Sequence, residues 1–111
     1  MGDINYMGAV VRILEIPTIQ LTRTEIPYTK FRVQLSKLRP KRRSNTILTV
    51  FAWGRFAQEI VRYYRINDYV LIEGYLSNRQ SSLENRKELV QVTLFKIFPF
   101  FLNSGFCDDY E

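Results

Sequence analysis

The 111-residue chain contains no histidine, and Cys107 is its single cysteine. Without imidazole, the chain lacks the commonest general base and the commonest metal ligand of proteins. One thiol supplies neither an internal disulfide framework nor a cysteine-rich zinc site, and a free thiol suits a reducing compartment. We therefore expect no enzyme, no catalytic residue, no metal site and no cofactor.

Long apolar runs are also missing, and no stretch approaches the length of a membrane span. The first residues have neither the basic-then-apolar order of a secretory signal nor the composition of a transit peptide. Carboxylates are few and scattered, and no Gly-rich phosphate loop or nucleophile elbow is present. We expect no membrane partner and a protein that works in the compartment where it is made.

The chain does have an apolar fraction of 46% and a net charge of +5, with an isoelectric point of about 9.6. This apolar content is enough for one folded domain. A small basic domain suits a polyanionic partner such as nucleic acid or an anionic membrane surface. Charge alone leaves ordinary solubility open as the alternative explanation.

Hydrophobic periodicity predicts an all-β fold with one helix. Apolar residues at every second position predict strands, and apolar residues four apart predict a helix. The predicted strands are 5–14, 28–37, 46–53, 68–76 and 87–98, and the predicted helix is 54–65. We expect Pro99 to end the last strand. The predicted order is three strands, one helix and two strands. A five-stranded Greek-key barrel with a helix between strands 3 and 4 has this order, and we predict that fold. We divide the chain into a domain, 1–102, and a short acidic tail, 103–111.

The third predicted strand is apolar on both faces, so its pattern leaves two orientations open. If Leu48, Val50 and Ala52 face the core, then Phe51 and Trp53 are exposed on the opposite face. In the other orientation, Phe51 and Trp53 are themselves core residues. The two orientations have opposite functional consequences, since only exposed rings can bind a ligand.

Basic residues interleave with these two aromatics. They are Arg32, Lys37, Arg39, Lys41, Arg42, Arg43, Arg55 and Arg79. Single-stranded nucleic acids are held by such combinations, because cations follow the phosphates while bases stack on aromatic faces. We take these cations, Phe51 and Trp53 as the candidate nucleic-acid-binding residues. The alternative is that the basic segment 37–45 is only a solvated loop.

Residues 49–79 resemble the bacterial single-stranded DNA-binding protein family. Residues 50–58, Val-Phe-Ala-Trp-Gly-Arg-Phe-Ala-Gln, are similar to the family's VVAWGKLAE stretch, and residues 64–76 are similar to its YLxKGxxVxVEGRL stretch. The resemblance implies an OB fold that binds single-stranded DNA without catalysis, in DNA replication, recombination or repair. It also implies that Trp53 occupies a position that stacks on bases.

The chain departs from this family at several positions. Two further stacking positions of the family are Ile47 and Ser81 here, and the basic loop near Lys41 replaces another aromatic. The resemblance therefore implies binding that depends more on charge than on stacking. The family's long linker is missing, and residues 108–111, Asp-Asp-Tyr-Glu, are only weakly similar to its acidic tip. Recruitment through a tip is not expected, although replication proteins stay open as partners.

Residues 25–31, Glu-Ile-Pro-Tyr-Thr-Lys-Phe, also resemble the GIPHxxF stretch of primosomal replication protein N, a dimeric single-domain relative. This implies an alternative function, a primosome-type protein-interaction module whose nucleic-acid binding is secondary. Together, the features are similar to the small binding proteins of red-algal plastids and cyanobacteria. We expect a homodimer or homotetramer in the plastid (chloroplast) stroma or in a bacterial (cyanobacterial) cytoplasm, with single-stranded DNA as the partner and RNA left open.

Overall fold

A computed structural model describes residues 5–36, 46–79 and 89–102. The elements are β1 (Tyr6–Ile13), β2 (Gln20–Leu21), β3 (Pro27–Leu35), β4 (Ile47–Trp53), α1 (Gly54–Tyr63), β5 (Tyr69–Arg79) and β6 (Leu89–Phe101). The all-β class and the position of the helix are confirmed. The two-residue strand β2 lies in a connection where the sequence predicted no strand. The predicted tail, 103–111, lies outside the described residues.

The strands form a closed barrel. The sheet order is β1-β5-β6-β4-β3-β2, and β1 also pairs with β3 to close the cylinder. The closing pairs join Val11 to Leu35 and Ile13 to Val33. The neighbours are antiparallel except β4 and β6, which run parallel. This topology, with α1 between β4 and β5, confirms the predicted Greek-key barrel of the OB type.

The barrel interior is filled by alternate residues of each strand. Phe31, Val33 and Val50 are almost completely buried, and Ala57 and Ile60 of α1 join the same apolar cluster. Fully burying a large apolar side chain contributes about 1.5–3 kcal/mol. The helix therefore buries its apolar stripe against the barrel and leaves its polar side in solvent.

The chain leaves α1 through a tight polar turn. The helix ends at Tyr63, two residues earlier than predicted, and Asn67 adopts the left-handed conformation with φ 71°. Asp68 is buried, and its carboxylate accepts a hydrogen bond from the Arg65 backbone N–H at 2.8 Å. Burial and, secondly, the Asp68 charge raise the pKa of Tyr64 above its ordinary value. Tyr64 therefore loses its proton at a higher pH than an ordinary tyrosine does.

Strand β6 continues through Pro99 to Phe101, so the predicted end at Pro99 was wrong. Val70 pairs with Pro99 and Tyr69 with Phe101, which leaves Phe100 as an extra residue in the described hairpin. Proline cannot donate a ladder hydrogen bond and is tolerated at bulges and edges. The described pairing of β6 with β4 ends at Thr93, so Pro99 lies on a segment with one neighbouring strand.

A second irregularity lies at Gly74 of β5. Glu73 pairs with Lys96 and Gly74 with Leu94, so Phe95 is an extra residue of β6. A Cβ atom on Gly74 would lie 2.5 Å from the Thr93 carbonyl oxygen and 2.7 Å from Val92 Cγ1. Only glycine permits this close approach of the two backbones.

Gly74→Ala should therefore destabilise the barrel. The added methyl group would overlap backbone atoms that cannot move away, and such overpacking costs about 1–3 kcal/mol. Gly8→Ala is the matched control, because its Cβ would meet no atom closer than 3.7 Å. Chemical denaturation measures both free energies of unfolding. Equal stability of the two variants would contradict the close approach at Gly74.

Candidate nucleic-acid interface

The outward side chains of β3 and β4 form one surface, which we name the β3–β4 face. Its register pairs are Tyr28 with Trp53, Lys30 with Phe51, Arg32 with Thr49, and Gln34 with Ile47. The intervening β4 residues Leu48, Val50 and Ala52 are buried. Trp53 is 46% exposed and Phe51 is half-buried. Of the two orientations that the sequence left open, the structure has the one with Phe51 and Trp53 outside.

Two aromatic rings stack on this face. The ring centroids of Tyr28 and Trp53 are 5.1 Å apart with an interplanar angle of 30°. The Tyr28 hydroxyl donates a hydrogen bond to Gln20 Oε1 at 3.0 Å, and Gln20 lies opposite Tyr28 on β2. The short strand β2 thus holds the Tyr28 ring against Trp53. A stacked pair of this kind offers a flat, partly exposed aromatic surface on which a nucleobase can stack.

A cation lies beside the next ring along β4. Lys30 is exposed, and its Nζ is 6.0 Å from the centroid of the Phe51 ring. This distance is at the limit of a cation–π contact. A lysine next to an aromatic ring can bind a phosphate while the ring contacts the attached base. Sequence analysis missed Lys30 and Tyr28, although both alternate with the buried residues of β3 and therefore share the face of Arg32.

Arg32, a predicted phosphate-binding residue, is already paired with Glu15. Glu15 Oε2 accepts a hydrogen bond from Arg32 Nε at 2.8 Å, and Glu15 Oε1 accepts one from the Arg32 backbone N–H at 3.0 Å. The two side chains are 58% and 41% exposed, and such exposed pairs contribute about 0–1 kcal/mol. A phosphate that binds the Arg32 guanidinium must compete with this carboxylate.

Glu15→Gln should therefore tighten the binding of single-stranded DNA. The amide keeps a hydrogen-bond acceptor for the Arg32 backbone but removes the competing charge, so we expect a gain of up to about fivefold at low salt. Fluorescence titration with poly-dT measures the change. Glu59→Gln, on the exposed side of α1, removes the same charge and serves as the control. An equal gain in both variants would mean that Glu15 acts only through net charge.

The N-terminus of α1 lies next to Trp53. Gly54 turns the chain from β4 into the helix with φ 68°, a conformation that favours glycine. The first turn, which the structure describes in full, carries no acidic residue, and Trp53 provides no side-chain cap. Arg55 in this turn is exposed. The positive end of the helix dipole and Arg55 together favour an anion beside Trp53.

The structure thus places Phe51, Trp53 and Arg32 on one face and Arg55 at its border. Arg79 is the last residue of β5, and only its backbone is described. The other predicted cations, Lys37, Arg39, Lys41, Arg42 and Arg43, lie outside the described residues. In the described part of the chain, no three potential ligand side chains converge as a metal site. No described helix has the length and apolar character needed to cross a membrane.

A second group of rings, which we name the aromatic cluster, consists of Tyr6, Tyr75 and Phe95. The Phe95 ring centroid is 4.9 Å from that of Tyr75 and 5.9 Å from that of Tyr6. Partial desolvation and, secondly, hydrogen bonding to Glu73 raise the pKa of Tyr6 above its ordinary value. Sequence analysis did not single out these rings, because their contacts join three strands that are distant in the chain.

A closed barrel with a helix between β4 and β5 is the fold of OB-type single-strand-binding domains, and solved structures agree. The SSB domain of a Synechococcus protein has a TM-score of 0.68 at 22% identity, covering 88% of this chain and 98% of that one. Rim1, a mitochondrial single-stranded DNA-binding protein of S. cerevisiae, has a TM-score of 0.73 at 15% identity, covering 93% and 100%. At these identities, the likeness shows the fold.

The family follows from sequence identity. The ycf41 protein of Trieres chinensis, which is named as a single-stranded DNA-binding protein, is 32% identical over 104 residues. The match covers 90% of this chain and 92% of that protein. No protein-family model matches the chain. The chain belongs to the ycf41 family, which confirms the resemblance to plastid and cyanobacterial binding proteins.

Proposed function

We propose that the chain binds single-stranded DNA on the β3–β4 face, supports DNA replication, recombination or repair, and catalyses no reaction. The observation that carries the proposal is the stack of the exposed Trp53 ring on the half-buried Tyr28 ring, with Lys30 beside the neighbouring Phe51 ring. The names of the ycf41 relative and of the solved neighbours support the same ligand.

Each part of the β3–β4 face has a role in this proposal. Bases stack on the rings of Trp53, Tyr28 and Phe51, and each stacked base contributes about 1–3 kcal/mol. Lys30 and Arg55 bind phosphates next to these rings, joined by the predicted cations of 37–43 and by Arg79. A duplex offers no free base faces, because its bases stack on one another. The face therefore selects single strands. The alternative function, a protein-interaction module in which nucleic-acid binding is secondary, does not explain why these rings lie together beside Lys30.

Trp53→Ala should weaken the binding of poly-dT by about 1–3 kcal/mol, because one base loses its stacking surface. Trp53→Phe is the matched control and should keep most of the affinity. Because Trp53 is the only tryptophan, the variants have no tryptophan signal, and the fluorescence anisotropy of labelled poly-dT measures the affinity of all three chains. In the wild type, quenching of the tryptophan fluorescence on binding reports this position directly. If Trp53→Ala binds as tightly as the wild type, stacking at this ring is refuted.

The same titrations in a salt series separate stacking from charge. Each neutralised phosphate contributes a slope of about 0.7 in log affinity against log salt for single strands. Lys30→Ala should reduce the slope by about this amount, whereas Trp53→Ala should lower the affinity and leave the slope unchanged. Salt-independent binding would contradict the proposed phosphate contacts.

We also propose that the chain assembles as a homodimer or homotetramer through β1. On one side, β1 pairs with β5 over Tyr6–Arg12, whereas its described pairing with β3 covers Val11–Ile13. The carbonyl oxygens of Asn5 and Ile13 accept hydrogen bonds from the β5 side, and that of Val10 accepts one from Ser36. Because backbone groups alternate along a strand, the N–H and C=O of Gly8 point away from β5. No described residue pairs with Gly8 on that side, and we propose that a second copy does.

An exposed apolar surface on β6, which β5 separates from β1, also supports assembly. Phe98, Phe100 and Phe101 at the end of β6 are 45%, 65% and 51% exposed. Three neighbouring phenylalanines in water are unfavourable, and burial against a second copy would stabilise them. One OB fold covers about 4–16 nucleotides, so a second copy also raises the affinity for longer strands through effective concentration.

Gly8→Pro should dissociate the assembly. Proline removes the Gly8 N–H, which points away from β5 to the edge where no described residue pairs with Gly8, and it leaves the pairing of β1 with β5 intact. Gly8→Ala, which keeps the N–H, should assemble like the wild type. Light scattering at micromolar concentration measures the mass, and circular dichroism confirms the fold. A monomeric wild-type chain would refute the assembly and leave the proposed DNA binding unaffected.

The setting we propose is the plastid stroma or a cyanobacterial cytoplasm. The sequence relative comes from Trieres chinensis, and one structural neighbour comes from Synechococcus. The lone thiol of Cys107 suits either compartment, since both are reducing.

A further inference from the structure

We infer that the exposed side of α1 is a further phosphate-binding surface, along which single-stranded DNA continues from the Tyr28–Trp53 stack. Its residues, which we name the α1 stripe, are Arg55, Gln58 and Arg62. This inference rests on the proposed function and extends it beyond the β3–β4 face. The ligand is the same strand of DNA, because Arg55 follows Trp53 by two residues.

The spacing of the three residues places them in one row along the helix. At about 100° per residue, Arg55 and Arg62 are about 20° apart around the helix axis, and Gln58 is within about 60° of both. The buried residues of α1, Ala57 and Ile60, lie on the opposite side, and all three side chains of the stripe are exposed. At about 1.5 Å per residue, the row is about 10 Å long, which matches about three stacked nucleotides at about 3.4 Å each.

The α1 stripe begins where the β3–β4 face ends. Trp53 is the last residue of β4, and Gly54 is the first residue of α1. The helix packs against β3 and β4, the two strands that carry the face. The edge of β1 and the phenylalanines of β6, which we propose for assembly, belong to other elements. The stripe therefore continues the face and uses none of the residues that we propose for assembly.

The two arginines of the stripe keep their positive charge free for a ligand. Among the described residues, neither Arg55 nor Arg62 forms an ion pair with a carboxylate, whereas Arg32 on the face does. Gln58 lies between the two arginines and provides uncharged hydrogen-bond donors. Glu59, the one carboxylate of α1, lies about 100° from Gln58 on the other flank of the helix, so it affects the stripe only through net charge.

Stabilisation of the helix is the alternative role for these arginines. Arg62 lies in the last turn of α1, where a cation complements the negative end of the helix dipole. Arg55 lies in the first turn, where the same dipole disfavours a cation, so helix stability does not explain its position. A bound phosphate explains both residues, because it interacts favourably with each guanidinium and with the positive end of the helix.

Arg62→Gln and Arg62→Lys test the inference in the full chain. Glutamine removes the charge at nearly the same helix propensity, whereas lysine keeps the charge. Arg23→Gln is the matched control, because Arg23 is an exposed arginine that belongs neither to α1 nor to the β3–β4 face. Oligo-dT ligands of about 4 and about 16 nucleotides are titrated in a salt series, with tryptophan fluorescence as the signal. Melting temperatures measure the stability of each variant.

With the long ligand, we expect Arg62→Gln to bind about two- to fivefold more weakly at low salt and to have a salt slope lower by about 0.7. The short ligand, which the aromatic rings of the face bind without α1, should lose less affinity. Arg62→Lys and Arg23→Gln should keep the slope of the wild type, the first because it keeps the charge and the second because it lies off the path.

An unchanged slope of Arg62→Gln with the long ligand, when Lys30→Ala lowers the slope, would overturn the inference and leave the proposed function standing. Equal losses of slope in Arg62→Gln and Arg23→Gln would show that only net charge acts. A lower melting temperature of Arg62→Gln with equally weaker binding of both ligands would show that Arg62 acts through the stability of the helix. Either of these results also overturns the inference. If the wild type binds neither ligand, the proposed function itself fails, and the inference fails with it.

Discussion

Leu48, Val50 and Ala52 are packed in the barrel, and these contacts fix the direction of every side chain on β4. A shift of one residue in the pairing with β3 would exchange the two faces, since strand side chains alternate. The core would then have to accommodate Phe51 and Trp53. The packing of three small and medium apolar residues therefore determines which rings meet the solvent, and the β3–β4 face depends on it.

The order of strands and helix could be predicted from the sequence because each element carries its own local pattern. The direction of Trp53 could not, because both faces of β4 are apolar and only contacts with distant strands decide between them. Tyr28 was missed for a related reason: only the register between β3 and β4 places it opposite Trp53, and the sequence does not give this register. A two-residue strand such as β2 is too short to show the alternation of apolar and polar residues by which strands are predicted. Pro99 was predicted to end a strand because proline usually does so. The irregular pairing that accommodates it depends on β5, and the sequence of β6 alone does not show it.

The structure also changes the expected balance between charge and stacking. From sequence, the non-aromatic residues Ile47 and Ser81 at stacking positions of the family pointed to binding mainly through cations. In the barrel, Tyr28 from the neighbouring strand contributes a ring next to Trp53. Arg32, in contrast, is engaged by Glu15. The described part of the face therefore has more aromatic surface and less free positive charge than its sequence suggests.

The hydrogen bond between Tyr28 and Gln20 has a consequence for the entropy of binding. A free aromatic side chain on a surface samples several rotamers, and a ligand that immobilises a side chain loses about 0.5–1.5 kcal/mol of affinity for each one. Tyr28 is held at its hydroxyl by Gln20 and at its ring by Trp53 before any ligand arrives. Most of this loss occurs when the chain folds, so a base meets a surface that is already rigid, and β2 contributes to affinity without touching the ligand.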